Sequence, residues 1–116
     1  MASVFLVEDE ALIRMMVADM VTELGHIVEA EANDLPSALR HARDSDFDMA
    51  LLDVSLGRDS AEPVAVALAN RNIPFAFASG FGAEAVPEAF RERPLLRKPF
   101  PIEQLERCIA ELLQAS

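Results

Sequence analysis

The chain has 116 residues, 52% hydrophobic and 26% charged, which is the length of one domain with enough apolar material for a core and too much for a disordered segment. Twenty acidic side chains against ten basic ones leave a formal charge of −10, which opposes binding to nucleic acid or to an anionic membrane surface. The single cysteine, Cys108, excludes an internal disulfide, no apolar run reaches the roughly 18 residues of a membrane span, and the N-terminus lacks the pattern of a secretory signal, so a cytoplasmic setting is expected.

Short apolar runs alternate with segments of helical period, the pattern of a parallel sheet covered by helices, here in a single domain over residues 1–116. Residues 4–7 are apolar throughout, as in a strand buried on both faces, and stop at Glu8-Asp9-Glu10. Leu12, Ile13, Met16, Val17, Met20, Val21 and Leu24 then share one helical stripe, ended by Gly25 at the C′ position; Met15, Met16 and Met20 read as core filling. Residues 26–31 read as a second strand. Asn33 or Asp34 is placed to cap a second helix with Pro36 in its first turn and Leu35, Ala38, Leu39 and Ala42 inward. Residues 49–52 form the third strand and run into Asp53. After a polar loop over 54–60, Ser60 is placed to cap a third helix carrying Val64, Ala67 and Leu68, with Pro63 tolerated in the opening turn. Residues 75–78 are the fourth strand, ended by Ser79. Beyond Gly80-Phe81-Gly82, a weak helical segment around 86–91 is interrupted by Pro87 and closed by Pro94, so the fourth of five helices is expected to be short or mobile. Residues 95–97 are the fifth strand, and Ile102, Leu105, Ile109, Leu112 and Leu113 mark a last amphipathic helix. Right-handed crossovers make a doubly wound, five-stranded parallel sheet the natural topology of this α/β chain. His26 and His41 read as surface residues, and Cys108 as a small hydrophobe.

In such a sheet, ligands collect outside the carboxyl ends of the strands. The residues that follow the apolar runs are Glu8 and Asp9, Asp53, Ser79 and Lys98. Singly, each has an ordinary alternative: Glu8-Asp9-Glu10 as helix-start charges, Asp53 as a turn residue, Ser79 as a loop hydrogen-bonder, Lys98 as a solvated side chain. Together they bring three carboxylates, a hydroxyl and an ammonium to one end of the sheet, while Glu10 reads as a helix-start charge. Crowded carboxylates repel one another unless a cation shares the space, and hard oxygen donors with open positions suit Mg²⁺. A metal beside an exposed carboxylate, with an ammonium opposite, is suited to an incoming phosphoryl group and an aspartate nucleophile.

The segments VFLVEDE, ALLDVSLG, PFAFASGFG and LLRKPF, with Asp9, Asp53, Ser79 and Lys98 spaced by 44, 26 and 19 residues, resemble the receiver domain of two-component response regulators over nearly the whole chain. The resemblance implies a flavodoxin-like sheet of order 2-1-3-4-5, with Asp53 accepting a phosphoryl group from a histidine kinase or a histidine phosphotransfer protein. It also implies Mg²⁺ held directly by Asp9 and Asp53, through water by Glu8, and by the backbone carbonyl of Ser55. Lys98 would pair with Asp53 and then with a phosphoryl oxygen, Ser79 would turn to another, and the Lys98-Pro99 bond would be cis. Within the family, PFAFASGF resembles the PFxFATGY motif of the stand-alone FATGUY subgroup, with serine for threonine and phenylalanine for tyrosine.

Two positions depart from the family pattern. Leu95 stands where many receivers carry a switch aromatic, and we assign that ring's motion to Phe81, between Gly80 and Gly82, with Ser79 as trigger. Gly57 stands where receivers commonly have proline, four residues after the acceptor, and is expected to loosen its loop. The implied protein is a single-domain response regulator, a monomer or weak dimer that acts by touching a downstream protein and has no enzymatic role beyond its own phosphorylation and dephosphorylation. Two alternatives differ in class. A Mg²⁺-dependent phosphatase would form an aspartyl-phosphate but usually carries a second aspartate where this chain has Ser55; a pseudo-receiver would fold without taking up phosphate, against the retained acidic pair, Asp53 and Lys98.

Overall fold

The computed structural model describes residues 1–115 as an alternation of strands and helices. In chain order they are β1 (Ser3–Val7), α1 (Ala11–Glu23), β2 (Ile27–Ala32), α2 (Leu35–Asp44), β3 (Met49–Asp53), β4 (Ser55–Leu56), β5 (Asp59–Ser60), α3 (Glu62–Asn70), β6 (Phe75–Ser79), β7 (Leu95–Arg97) and α4 (Ile102–Ala115). Five parallel strands form one sheet in the order β2-β1-β3-β6-β7, which is 2-1-3-4-5 once the small antiparallel β4-β5 pair is set aside. The register pairs Val7 with Leu52, Asp53 with Ala78 and Ser79 with Arg97. The carboxyl ends of β1, β3, β6 and β7 therefore come level, and the residues that follow them share one edge.

Alternate side chains of each central strand enter opposite cores, the reason the runs are apolar without interruption. Phe5, Val7, Leu52, Phe75 and Phe77 pack with Ala38, Ala42, Val64, Ala65 and Leu68 beneath α2 and α3. Val4, Leu6, Met49, Leu51 and Ala76 pack with Val21, Leu105, Ile109 and Leu112 beneath α1 and α4. Phe5, Phe75 and Phe77 are fully buried, each contributing about 1.5–3 kcal/mol of transfer free energy. The Phe75 and Phe77 rings meet edge to face with centroids 5.6 Å apart.

The helix ends follow their sequence signals in part. Asp34 caps α2 by accepting the Ser37 N–H at 2.9 Å. Gly25, at φ 90°, follows the end of α1 in the left-handed conformation that glycine adopts freely. Ser60 is not the cap of α3: it lies on β5, Ala61 takes the cap position, and the Ser60 hydroxyl accepts the Glu62 N–H at 3.1 Å.

Four expectations are corrected. The fourth helix is two 3₁₀ turns, Ala83–Ala85 and Glu88–Phe90, because Pro87 between them has no N–H to continue a ladder. Met15 and Met16 are exposed instead of core filling: the α1 residues that pack on the core, Val17, Ala18, Met20, Val21 and Leu24, lie in its later turns. Neither histidine is a simple surface residue, since His26 Nδ1 accepts the Ala2 N–H at 3.0 Å and the His41 ring lies 5.5 Å from that of Phe5. The 54–60 loop is a hairpin, with Leu56 buried and Gly57 at φ 66° as the first residue of its two-residue turn, a backbone angle that favours glycine. Glycine fits this turn, which proline, with φ fixed at about −65°, could not occupy.

Candidate functional site

At the carboxyl edge, the ends of β1, β3 and β7 bring four charged side chains together. The Lys98 ammonium lies 2.5 Å from Glu8 Oε1 and 3.4 Å from Asp53 Oδ2. Carboxylate oxygens of Glu8, Asp9 and Asp53 all lie within 4.8 Å of one another. Glu8 is buried, Asp53 half-buried and Asp9 exposed, so the cluster opens to solvent on the Asp9 side.

Local backbone chemistry fixes each member. The second oxygen of Glu8 accepts the Glu10 N–H at 3.1 Å as α1 begins, and Arg14, one turn on, donates to the Glu8 carbonyl at 2.9 Å while pairing with Glu31 at 3.2 Å. Asp9 Oδ2 accepts the Gly57 N–H at 2.9 Å. The Lys98 backbone N–H donates to the Ser79 carbonyl at 2.7 Å, and the Lys98-Pro99 peptide is cis.

Ser79 is buried at the end of β6, but its hydroxyl accepts the Phe81 N–H at 3.0 Å and so is engaged with its own loop. Phe81 is 70% exposed. Leu95 is half-buried opposite Phe77 and packs on the aromatic core, where it fills space without offering a ring that could move. Ser55, the first residue of β4, is exposed. The structure thus brings Glu8, Asp9, Asp53 and Lys98 together, with Ser79 at the adjacent strand end. Two residues of the site were not singled out for it from sequence. Arg14 was hidden because only the start of α1 turns its guanidinium back on Glu8, and Gly57 because an amide donor leaves no side-chain signal.

The titration behaviour follows from crowding. Burial, reinforced by the Glu8 carboxyl and resisted by the Lys98 ammonium, pushes Asp53 up to about 7. Burial also acts against ionisation of Asp9, yet the Gly57 amide and hydrogen bonding with the other two carboxyls prevail and hold Asp9 below its ordinary value. Burial works against charge on Lys98 as well, but the Glu8 hydrogen bond and the Asp53 charge outweigh it and raise the ammonium's pKa. Burial thus raises Asp53 first, and the two neighbouring carboxyls add to it against a single ammonium. Three hard oxygen donors, one of them open to water, fit a divalent cation of the Mg²⁺ type, which keeps several waters and needs few protein ligands.

No protein-family model matches the chain. Its fold and sequence are similar to those of SdrG from Sphingomonas melonis Fr1, with 39% identity, 97% of each chain covered and a TM-score of 0.86; a BeF3-activated conformation of SdrG matches at 40% identity with a TM-score of 0.81. The receiver domain of the PhyR response regulator of Erythrobacter litoralis matches at 25% identity and a TM-score of 0.84, over 97% of this chain and 90% of that one. Among curated proteins, the transcriptional regulatory protein PdtaR of Mycobacterium tuberculosis is 33% identical over 106 residues, 88% of this chain and 52% of PdtaR. The chain therefore spans about half the length of the curated relatives it matches.

Proposed function

Because this chain belongs to the receiver-domain family of two-component response regulators, we propose that it works as a response regulator receiver whose Asp53 accepts a phosphoryl group from a histidine kinase or a histidine phosphotransfer protein. The relatives support phosphoryl acceptance in two-component signalling. The observation that carries the assignment to Asp53 is the joint approach of Glu8, Asp9 and Lys98 to that carboxyl, with the Lys98 ammonium 3.4 Å away.

In this reading an Asp53 oxygen attacks the phosphorus of a phosphohistidine, the phosphorus–nitrogen bond breaks, and the imidazole leaves with the bonding pair. Lys98, already shared between Glu8 and Asp53, transfers one of its hydrogen bonds to a phosphoryl oxygen. The Ser79 hydroxyl gives up its Phe81 contact and donates to a second oxygen, so Phe81 is released when the phosphoryl group arrives and takes over the switch role that Leu95 cannot perform. Asp9 and Asp53, with Glu8 through water and the Ser55 carbonyl, are the residues that would hold Mg²⁺. When bound, that ion supplies charge neutralisation for the phosphoryl oxygens, and the rest of catalysis is positioning.

The donor's docking place is read from α1, which exposes Leu12, Met15 and Met16 beside an apolar groove lined by Ile13, Met20, Pro99 and Phe100, next to Lys98. An acidic chain of −10 with this apolar patch suits a protein partner better than a nucleic acid. Among the described residues no helix is long and apolar enough to cross a membrane. We read the chain as a cytoplasmic monomer or weak dimer that resembles the FATGUY subgroup, whose output is contact with a downstream protein and whose own chemistry is confined to Asp53. Incubation with acetyl phosphate and Mg²⁺ followed by intact-mass measurement tests this: one phosphoryl group is gained by the wild type and none by Asp53→Asn. Equal uptake by the variant would reassign the acceptor, and steady turnover of an unrelated phosphoester would favour a phosphatase.

A further inference from the structure

The β4-β5 hairpin is a built frame. Its base is tied by Val54 N–H to the Ala78 carbonyl and by Ala61 N–H to the Val54 carbonyl, its two rungs pair Ser55 with Ser60 and Leu56 with Asp59, and Leu56 is buried beneath it. This frame delivers one group to the acidic cluster, the Gly57 N–H, 2.9 Å from Asp9 Oδ2. Lys98 reaches Glu8 and Asp53, whereas among the described residues no ammonium or guanidinium forms an ion pair with Asp9. An exposed carboxylate beside two others is pushed outward by like charge and is free to rotate into water. A fixed neutral donor opposes that rotation.

Resting on the metal site proposed above, we infer that the Gly57 amide is a positioning group for Asp9, holding its carboxylate in the cluster where a divalent cation is gripped. By the reciprocity of coupled equilibria, cation binding in turn stiffens the hairpin. The residue type follows from two demands. The N–H must be present, which excludes proline, and φ is 66°, which favours glycine and is tolerated by asparagine. A side chain at this position meets nothing within 4 Å, so only the backbone matters.

The test uses Mg²⁺ itself, titrated into the unphosphorylated chain and followed by NMR chemical shifts. Gly57→Pro removes the N–H and also imposes a φ of about −65° on a turn built at 66°, so it weakens Mg²⁺ binding by at least about fivefold to tenfold, the worth of one hydrogen bond to a charged acceptor partly screened by water, while Gly57→Asn keeps the N–H at a backbone angle asparagine tolerates and stays within about twofold of wild type. A second measurement needs no variant: Mg²⁺ slows hydrogen exchange of the wild-type Gly57 amide, because the cation removes the repulsion that pulls Asp9 away. This readout stands even if Gly57→Pro fails to fold. A folded Gly57→Pro that binds Mg²⁺ as the wild type does, or a Gly57 amide whose exchange ignores the ion, would overturn the inference and leave the metal site intact. Absence of Mg²⁺ binding by the wild type would overturn both.

Discussion

Replacing Asp53 with asparagine should stabilise the metal-free protein near neutral pH, against the usual direction for a change in a buried polar cluster. In the folded chain the Asp53 carboxyl titrates at about 7, against 3.8 without burial and Glu8 beside it. Between those two values the folded state holds a proton that the unfolded state has released, so the contribution of this group to stability falls as pH rises through the interval and is gone above about pH 7. A carboxyl sealed from water would lose about 1.4 kcal/mol per pH unit, roughly 4 kcal/mol in all. The Asp53 side chain keeps 13% of its surface, and the exposed Asp9 admits water beside it, so screening reduces the effect to about 1–2 kcal/mol. Asparagine has no proton to lose. Urea unfolding with EDTA, at about pH 5 and about pH 7.5, should show Asp53→Asn ahead of wild type by about 1–2 kcal/mol at the higher pH, or roughly 4–8 °C in Tm, with the gap closing at the lower pH. Added Mg²⁺ should raise the wild type more than the variant. A wild type that gains stability on the variant from the lower pH to the higher would refute the reasoning.

Other substitutions separate the parts of the site from its frame. Lys98→Met leaves Glu8 buried without its ammonium and should cost about 2–3 kcal/mol in urea unfolding, somewhat below a fully sealed pair because the lysine keeps 17% of its side-chain surface; a loss below about 1 kcal/mol would contradict the pairing. Ser79→Ala strips the Phe81 N–H of its acceptor, so exchange of that amide should accelerate and stability fall by about 1 kcal/mol; unchanged exchange would show that the hydroxyl does not hold Phe81. Arg71→Ala removes donors to the Ala42 and Ser45 carbonyls, at 2.7 and 2.9 Å, and a guanidinium 5.8 Å from the Phe47 ring, for a loss of about 2 kcal/mol. Arg71→Lys should recover only part of that, since an ammonium cannot reproduce the planar fork, and full recovery would assign the effect to charge alone.

The parallel sheet was legible because its three central strands are buried on both faces and carry that fact as unbroken apolar runs at residues 4–7, 49–52 and 75–78. The cluster was legible for a related reason: a polar residue that closes such a run, Glu8, Asp53 or Ser79, has nowhere to go but the carboxyl edge. Periodicity misled for α1, where a stripe at helical spacing does not say how far the sheet extends beneath it, and Met15 and Met16 protrude. The β4-β5 hairpin escaped notice because two-residue strands have no period to detect, and the cap of α3 moved from Ser60 to Ala61 once that serine was taken into β5. The weak fourth helix was foreseeable from Pro87, but its resolution into two 3₁₀ turns depends on local hydrogen bonds to the Gly82, Ala83, Pro87 and Glu88 carbonyls.

The central claim is chemical, that the carboxylate at position 53 becomes an acyl phosphate. Treating the phosphorylated protein with borohydride reduces an acyl phosphate to the alcohol and marks the acceptor covalently, and peptide sequencing by mass spectrometry then locates it. Homoserine in place of Asp53, and at no other acidic position, is the result expected. Homoserine at Glu8 or Asp9, or a phosphoryl group on Ser79 with Asp53 untouched, would contradict the account.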